Sequence, residues 1–356
     1  MSAPHLLVEF LLLAGAAAGA GCWIAAARRL VAGQALLPPE ARRDPPWALV
    51  DLLVTLFLEL SALEVVRAYL LSPGTSFEEL APRAQAAFLL ASSLGTLAAV
   101  GLSVVWVVGR CGADLLDLGI DSRRLAADLK LGIVAFLMVA PVVYGIQWVL
   151  VQWMESKHPL LELLKQHPDP RLFSLSALAA VLVAPIAEEY LFRVLLQGWL
   201  ERLPSLSCHP RLALLGGRLD PPSQACPAGP DEGVRLPAIA PDRGHPAADR
   251  LAEDEPAAAN PDASPAGGSP ALKADFGPRE PPNPPVPLWP VFVSSALFAT
   301  AHWSHGPDPV PLFVLAVALG ILYQRTHRVV PCIVVHVLLN GCSLAGLWLY
   351  VHRGGG

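Results

Sequence analysis

Apolar residues in this chain come in unbroken runs rather than in alternation. Windows at 6–27, 47–71, 85–108, 130–152, 173–200, 288–303, 310–324 and 329–350 are dominated by Leu, Val, Ala and Ile. A helix rising 1.5 Å per residue needs about 20 apolar residues to cross a hydrocarbon core about 30 Å thick, whereas spanning strands would alternate. The pattern therefore predicts an all-α fold, a polytopic transmembrane helical bundle of about eight spans. Residues 204–287 interrupt it. Runs such as PPNPPVP and HPAADRLAEDEPAAANPDASPAGGSP combine dense proline with low hydrophobicity. That composition supports neither a core nor a regular backbone ladder, so a long disordered Pro-rich insertion is expected there. The chain thus divides into N-terminal transmembrane helices (1–110), a first core part (111–203), the Pro/Ala-rich insertion (204–287) and a second core part (288–350).

Composition sharpens this picture. Of 356 residues, 54% are hydrophobic and 15% charged, against about 25% charged in an ordinary soluble domain. The net charge of −5, with no basic patch, argues against a nucleic-acid partner. The expected partners are the lipid bilayer and a membrane-associated protein or peptide substrate. Cys22, Cys111, Cys208, Cys226, Cys332 and Cys342 form no CxxC pair and read as free thiols. The first window lacks a basic segment before it and is followed by Arg28 and Arg29, so it reads as a spanning helix rather than a cleaved signal. Lys and Arg between the windows place the N-terminus outside and the loops after spans one, three, five and seven in the cytoplasm. A multi-pass protein of a bacterial-type cytoplasmic membrane is expected.

Ionisable residues inside the apolar windows carry the candidate chemistry. VAPIAEEYLFRVLLQGWL holds Glu188, Glu189 and Arg193, each costing about 2.5–3.5 kcal/mol at a membrane helix centre unless paired or facing water. Glu189 and Arg193, four apart, share a helix face and can pair, while Glu188 is turned about 100° away. One carboxylate is neutralised in place and its neighbour is left to face a cavity. Pro185, three residues upstream of Glu188, is expected to kink the span. LFATAHWSH places His302 four residues after Phe298, with His305 in the loop beyond, and CIVVHVLLNGC places His336 and Asn340 on one helical face.

A carboxylate, two imidazoles and a carboxamide suit peptide hydrolysis, with a base to activate water and donors for the oxyanion. Glu188, His302 and His336 could instead hold a divalent metal such as Zn, whose bound water has a lowered pKa. Both routes use the same residues, and a metal-free site is equally open. The alternatives are a non-catalytic membrane scaffold or immunity-type protein, in which these groups bond helix to helix at about 1 kcal/mol each, or a proton-relaying transporter. In the second window Asp51, Glu59, Glu64 and Arg67 read as bundle-stabilising or interfacial, with Glu64 and Arg67 able to pair at i,i+3.

Taken together the motifs resemble those of the CPBP intramembrane proteases, the CAAX protease and bacteriocin-processing or Abi family. The double glutamate followed by arginine stands as Glu188, Glu189 and Arg193, Phe-x-x-x-His as Phe298 and His302, and His-x-x-x-Asn as His336 and Asn340. The resemblance covers roughly residues 115–345 and implies an intramembrane endopeptidase, metallo- or glutamate-dependent. It makes Glu188 the water-activating carboxylate, completes the catalytic set with His302, His336 and Asn340, and gives Glu189, Arg193 and Phe298 supporting roles. Two departures stand out: the long insertion between the first and second motifs, and Val194 where many members carry glycine.

Overall fold

The computed structural model describes residues 3–40, 43–154, 170–207, 210–217, 287–303 and 306–353. Among these, every regular element is helical. The helices are α1 (Ala3–Val31), α2 (Leu49–Leu70), α3 (Pro82–Cys111), α4 (Leu125–Leu150), α5 (Pro170–Leu206), α6 (Pro210–Leu215), α7 (Trp289–Ala301), α8 (Pro309–Thr326) and α9 (Val329–Arg353). Each of the eight apolar windows falls on one helix, α6 being the addition. Five of them, α3, α4 with the turn before it, α5, α8 and α9, are long and apolar enough to cross a membrane. α2 is interrupted by Asp51, Glu59, Glu64 and Arg67, and α7 is apolar but only 13 residues long.

The chain divides into two compact units, Met1–Gln224 with Val286–Gly356, and Ala225–Pro285. The second lies outside the described residues. The expectation of disorder from residue 204 onward is corrected at its start. Leu203–Leu206 form the last turn of α5 and α6 follows. Trp199 Nε1 donates to the Ala213 carbonyl at 2.8 Å, and the Gly217 N–H donates to Pro46 at 2.9 Å. Leucines still recur here, and Leu206 is 2% exposed, so this stretch has apolar surface to bury before the proline-dense sequence begins. Residues 218–286 lie outside the described residues.

Within the first unit α2 packs on α3, α7 on α8, and α4 on both α1 and α9. Close approach of α4 and α9 depends on Gly132. A Cβ there would lie 2.6 Å from the Val334 Cβ and 2.9 Å from the Pro331 carbonyl. Several polar groups in the core are paired across helices, as burial favours. Asp51, fully buried, accepts from the Ala48 N–H at 2.8 Å, Trp106 Nε1 at 3.0 Å and Arg110 Nε at 2.7 Å. It therefore caps α2 and ties it to α3, a bundle-stabilising role. The Ser103 hydroxyl contacts Thr55 and lies 2.9 Å from the Tyr190 hydroxyl, linking α2, α3 and α5. Arg328 joins Asp128 and Glu40 where α9 begins, and Glu40 also pairs with Arg124. Glu64 and Arg67 do pair, at 3.7 Å, with both side chains exposed.

α5 widens twice. Leu178–Val183 and Tyr190–Gln197 are π-helical and bracket an α-helical turn, Ala184–Glu189. Pro185 explains the first wide segment, because it has no N–H to donate and its ring crowds the carbonyl four residues back. The Ala184 N–H donates five residues back, to Ala179. The kink expected at Pro185 is thus realised as a π-segment, a feature frequent at functional sites.

Candidate active site

Glu189 is the buried brace of this site. Its Oε2 accepts from Arg193 Nε at 3.0 Å one helical turn on, and both side chains are fully buried. Arg193 Nη1 also reaches the Ser294 hydroxyl of α7 at 3.3 Å, and its guanidinium carbon stands 5.6 Å from the centre of the Phe298 ring. Glu189 Oε1 lies 2.9 Å from His336 Nδ1 on α9. A carboxylate only accepts, so Nδ1 carries the hydrogen, and in the neutral ring Nε2 presents its lone pair.

His302 is held in the same sense. It stands at the C-terminal end of α7, with Nδ1 2.9 Å from the Phe298 carbonyl. A carbonyl likewise takes a donated hydrogen, leaving Nε2 as the acceptor in the neutral ring. Both Nε2 edges face Glu188. His336 Nε2 is 3.7 Å from Glu188 Oε2, and His302 Nε2 is 4.0 Å from Glu188 Oε1. These separations exceed a direct hydrogen bond, and a water placed alongside could touch the carboxylate and an imidazole together. Glu188 and His302 keep side-chain exposures of 26% and 21%, against 3% for His336. The working face is thus more open than its support.

Phe298 is the packing hub of these groups. Fully buried, its ring lies 4.9 Å from the His302 ring and 5.8 Å from the His336 ring, the latter edge-on. The Phe-x-x-x-His spacing places the carbonyl that orients the imidazole and the ring that flanks it on one turn. Asn340 takes a different place. Its Nδ2 donates to the Ala180 carbonyl at 2.9 Å. That carbonyl lacks its usual helical donors, since the Ala184 N–H goes to Ala179 and Pro185 has none. Asn340 therefore fastens α9 to the π-segment ahead of Glu188.

Glu188, His302 and His336, from three helices, are brought together, with Glu189, Arg193 and Phe298 behind them. His305 lies outside the described residues. Sequence reasoning did not place Glu59 of α2 or Ser92 of α3 here, yet with Glu188 they line one cavity of about 310 Å³. The only signal for Glu59 was an acid in an apolar window. Among the described residues no three His, Cys, Asp or Glu side chains form a closed metal-binding group. The donor chemistry of Glu188, His302 and His336 nevertheless fits a divalent cation, because each imidazole has its Nδ1 tied to an oxygen, the support that metal-ligating histidines need.

A family model described as Type II CAAX prenyl endopeptidase Rce1-like matches residues 271–342. The matched segment contains the Phe298–His302 and His336–Asn340 motifs, while the glutamate pair lies upstream of it. No curated protein and no solved structure matches the chain. With three motifs in order and this match over two of them, the chain is consistent with the CPBP family of intramembrane proteases.

Proposed function

We propose that the protein is an intramembrane endopeptidase that hydrolyses a membrane-associated protein or peptide, with Glu188 as the base that activates water. The observation that carries this reading is the facing of one part-exposed carboxylate by two imidazole Nε2 edges at 3.7 and 4.0 Å. A water bound against the exposed side of Glu188 gives it a proton, and the water's oxygen bonds to the substrate's carbonyl carbon. The oxyanion is met by one of the two rings in its cationic form, which keeps its Nδ1 hydrogen and carries a second on Nε2. On collapse the C–N bond breaks and the proton held by Glu188 passes to the leaving amine. Glu189 and Arg193 hold the His336 ring, and Asn340 holds the backbone turn that presents Glu188.

A metal-assisted form of the same site is the second reading, favoured by the tethering of both Nδ1 atoms. Glu188, His302 and His336 would hold the cation, which would supply a water of lowered pKa. Dialysis against a chelator separates the two: activity that survives assigns the water to Glu188 alone, and activity lost and restored by Zn assigns the metal.

The test of the protease reading compares protein termini in membranes from cells carrying the native chain or Glu188→Gln at matched levels. New termini that vanish in the variant, and return when purified native protein is added, support it. Equal termini in both, with a prenylated CAAX-ending reporter also uncut, would overturn it.

A further inference from the structure

The cavity beside Glu188 has chemistry that the hydrolytic step does not use. Glu59, Leu89, Ser92, Ser93 and Thr96 of α2 and α3 form one side, and Ala179, Val183, Ala184, Ala187 and Glu188 of α5 the other. Its volume of about 310 Å³ is at the lower end of small-ligand pockets, about 300–1,000 Å³. Oε1 of Glu59 and the Ser92 hydroxyl are buried without a hydrogen-bond partner. The Ser93 hydroxyl is already spent on the Leu89 carbonyl at 2.7 Å. Apart from Thr96 and Glu188, the remaining wall is aliphatic.

A buried carboxylate oxygen without a donor is costly, the more so within a membrane bundle. With Glu59 at one place on the wall and Glu188 at another, the cavity is rich in acceptors and bears two acidic side chains. An occupant that matches has a long apolar stem to lie along Leu89, Val183 and the alanines, and a cationic, multi-donor tip. Lys and Arg side chains are built this way. The cavity also shares Glu188 with the hydrolytic site, so what fills it lies next to the bond being cut.

We infer that this cavity is a substrate subsite taking a Lys or Arg side chain close to the scissile bond, with Glu59 as its counter-charge. The inference rests on the endopeptidase reading and adds to it a preference in the substrate. Glu59 is a specificity residue on this view, and Ser92 a second acceptor for the same tip.

The experiment uses the purified full chain in liposomes with a pool of randomised peptides, the new termini being read by sequencing. The native protein should enrich Lys and Arg over Gln about tenfold at one position near the cut, equivalent to about 1.4 kcal/mol. Glu59→Gln, of the same shape, should abolish the enrichment, and Glu59→Lys should turn it toward Asp and Glu. Ala184→Leu narrows the cavity without touching Glu59 and should disfavour long basic residues relative to small ones. It keeps the inference falsifiable should a Glu59 variant fail to assemble. Cleavage without basic enrichment, enrichment indifferent to these changes, or a uniform slowing across all peptides, as for a cavity holding only water, would overturn it. No cleavage of any peptide by the native protein would instead count against the protease reading itself.

Discussion

Glu189 holds His336 by its Nδ1 edge at 2.9 Å across the boundary between α5 and α9. The same carboxylate holds Arg193 at 3.0 Å with its other oxygen. Two adjacent glutamates therefore face different neighbours. One is consumed by fully buried partners, and the other meets imidazole edges across a gap. The orientation of His336 is thereby tied to the integrity of an ion pair one helical turn long.

Glu189→Ala should leave Arg193 buried without its counter-charge. Breaking such a pair by removing one partner costs about 3–5 kcal/mol. Unfolding of the purified variant in a fixed detergent should show this loss, and Arg193→Met added to Glu189→Ala should recover part of it, because no unpaired buried charge then remains.

Glu188→Gln should behave in the opposite way. Glu188 is part-exposed and approaches its imidazoles no closer than 3.7 Å, so stability should move by no more than about 0.5 kcal/mol. Peptide-bond cleavage should fall by about 10²–10⁴, the contribution of a positioned general base. Turnover and thermal unfolding measured on one preparation check both halves.

Asn340→Leu should strand the Ala180 carbonyl and destabilise the bundle by about 1–3 kcal/mol, the cost of an unsatisfied buried group. Asn340→Asp should do no better, since an ionised carboxylate sets an acceptor against an acceptor. Thermal unfolding of the two variants beside the native chain is the measurement.

Acid should weaken the link between α3 and α4. The Asp117 N–H at 2.7 Å and Arg43 at 2.9 Å hold the Asp114 carboxyl below its usual range. A carboxyl depressed in the folded state contributes stability above its unfolded value and loses it as the pH falls through the folded value. Stability should therefore decline below the ordinary carboxylate range, and Asp114→Asn should flatten that limb when unfolding is followed against pH.

Much of this arrangement is legible in local spacing. Apolar windows announce the eight helices they fall on, because membrane length and backbone hydrogen bonding leave few other solutions. The i,i+4 interval pairs Glu189 with Arg193 and turns Glu188 away, as the structure has it. Convergence of α5, α7 and α9 is different. No periodicity within a helix encodes it, and it was reached through the resemblance of the motifs. In the sequence Glu59 reads as a bundle or interfacial charge, because Glu188, which lines the same cavity, is far off along the chain. The partner of Asn340 was hidden for another reason: the free carbonyl at Ala180 exists only because the helix widens ahead of Pro185.

The wide turns of α5 also give it slack in length. A π-segment carries its hydrogen bonds one residue farther along than an α-helix does. Deleting one residue from Leu178–Val183 can therefore restore an ordinary pitch while leaving Pro170–Ala177 nearly in its present phase relative to Glu188, because each residue of the wide turn rotates the chain less than an α-helical one. That outer stretch packs on α3, and its Phe173 stacks 4.1 Å from Trp348. The wide turn thus absorbs a one-residue change in chain length, so the outer end keeps its neighbours while the carboxylates keep theirs.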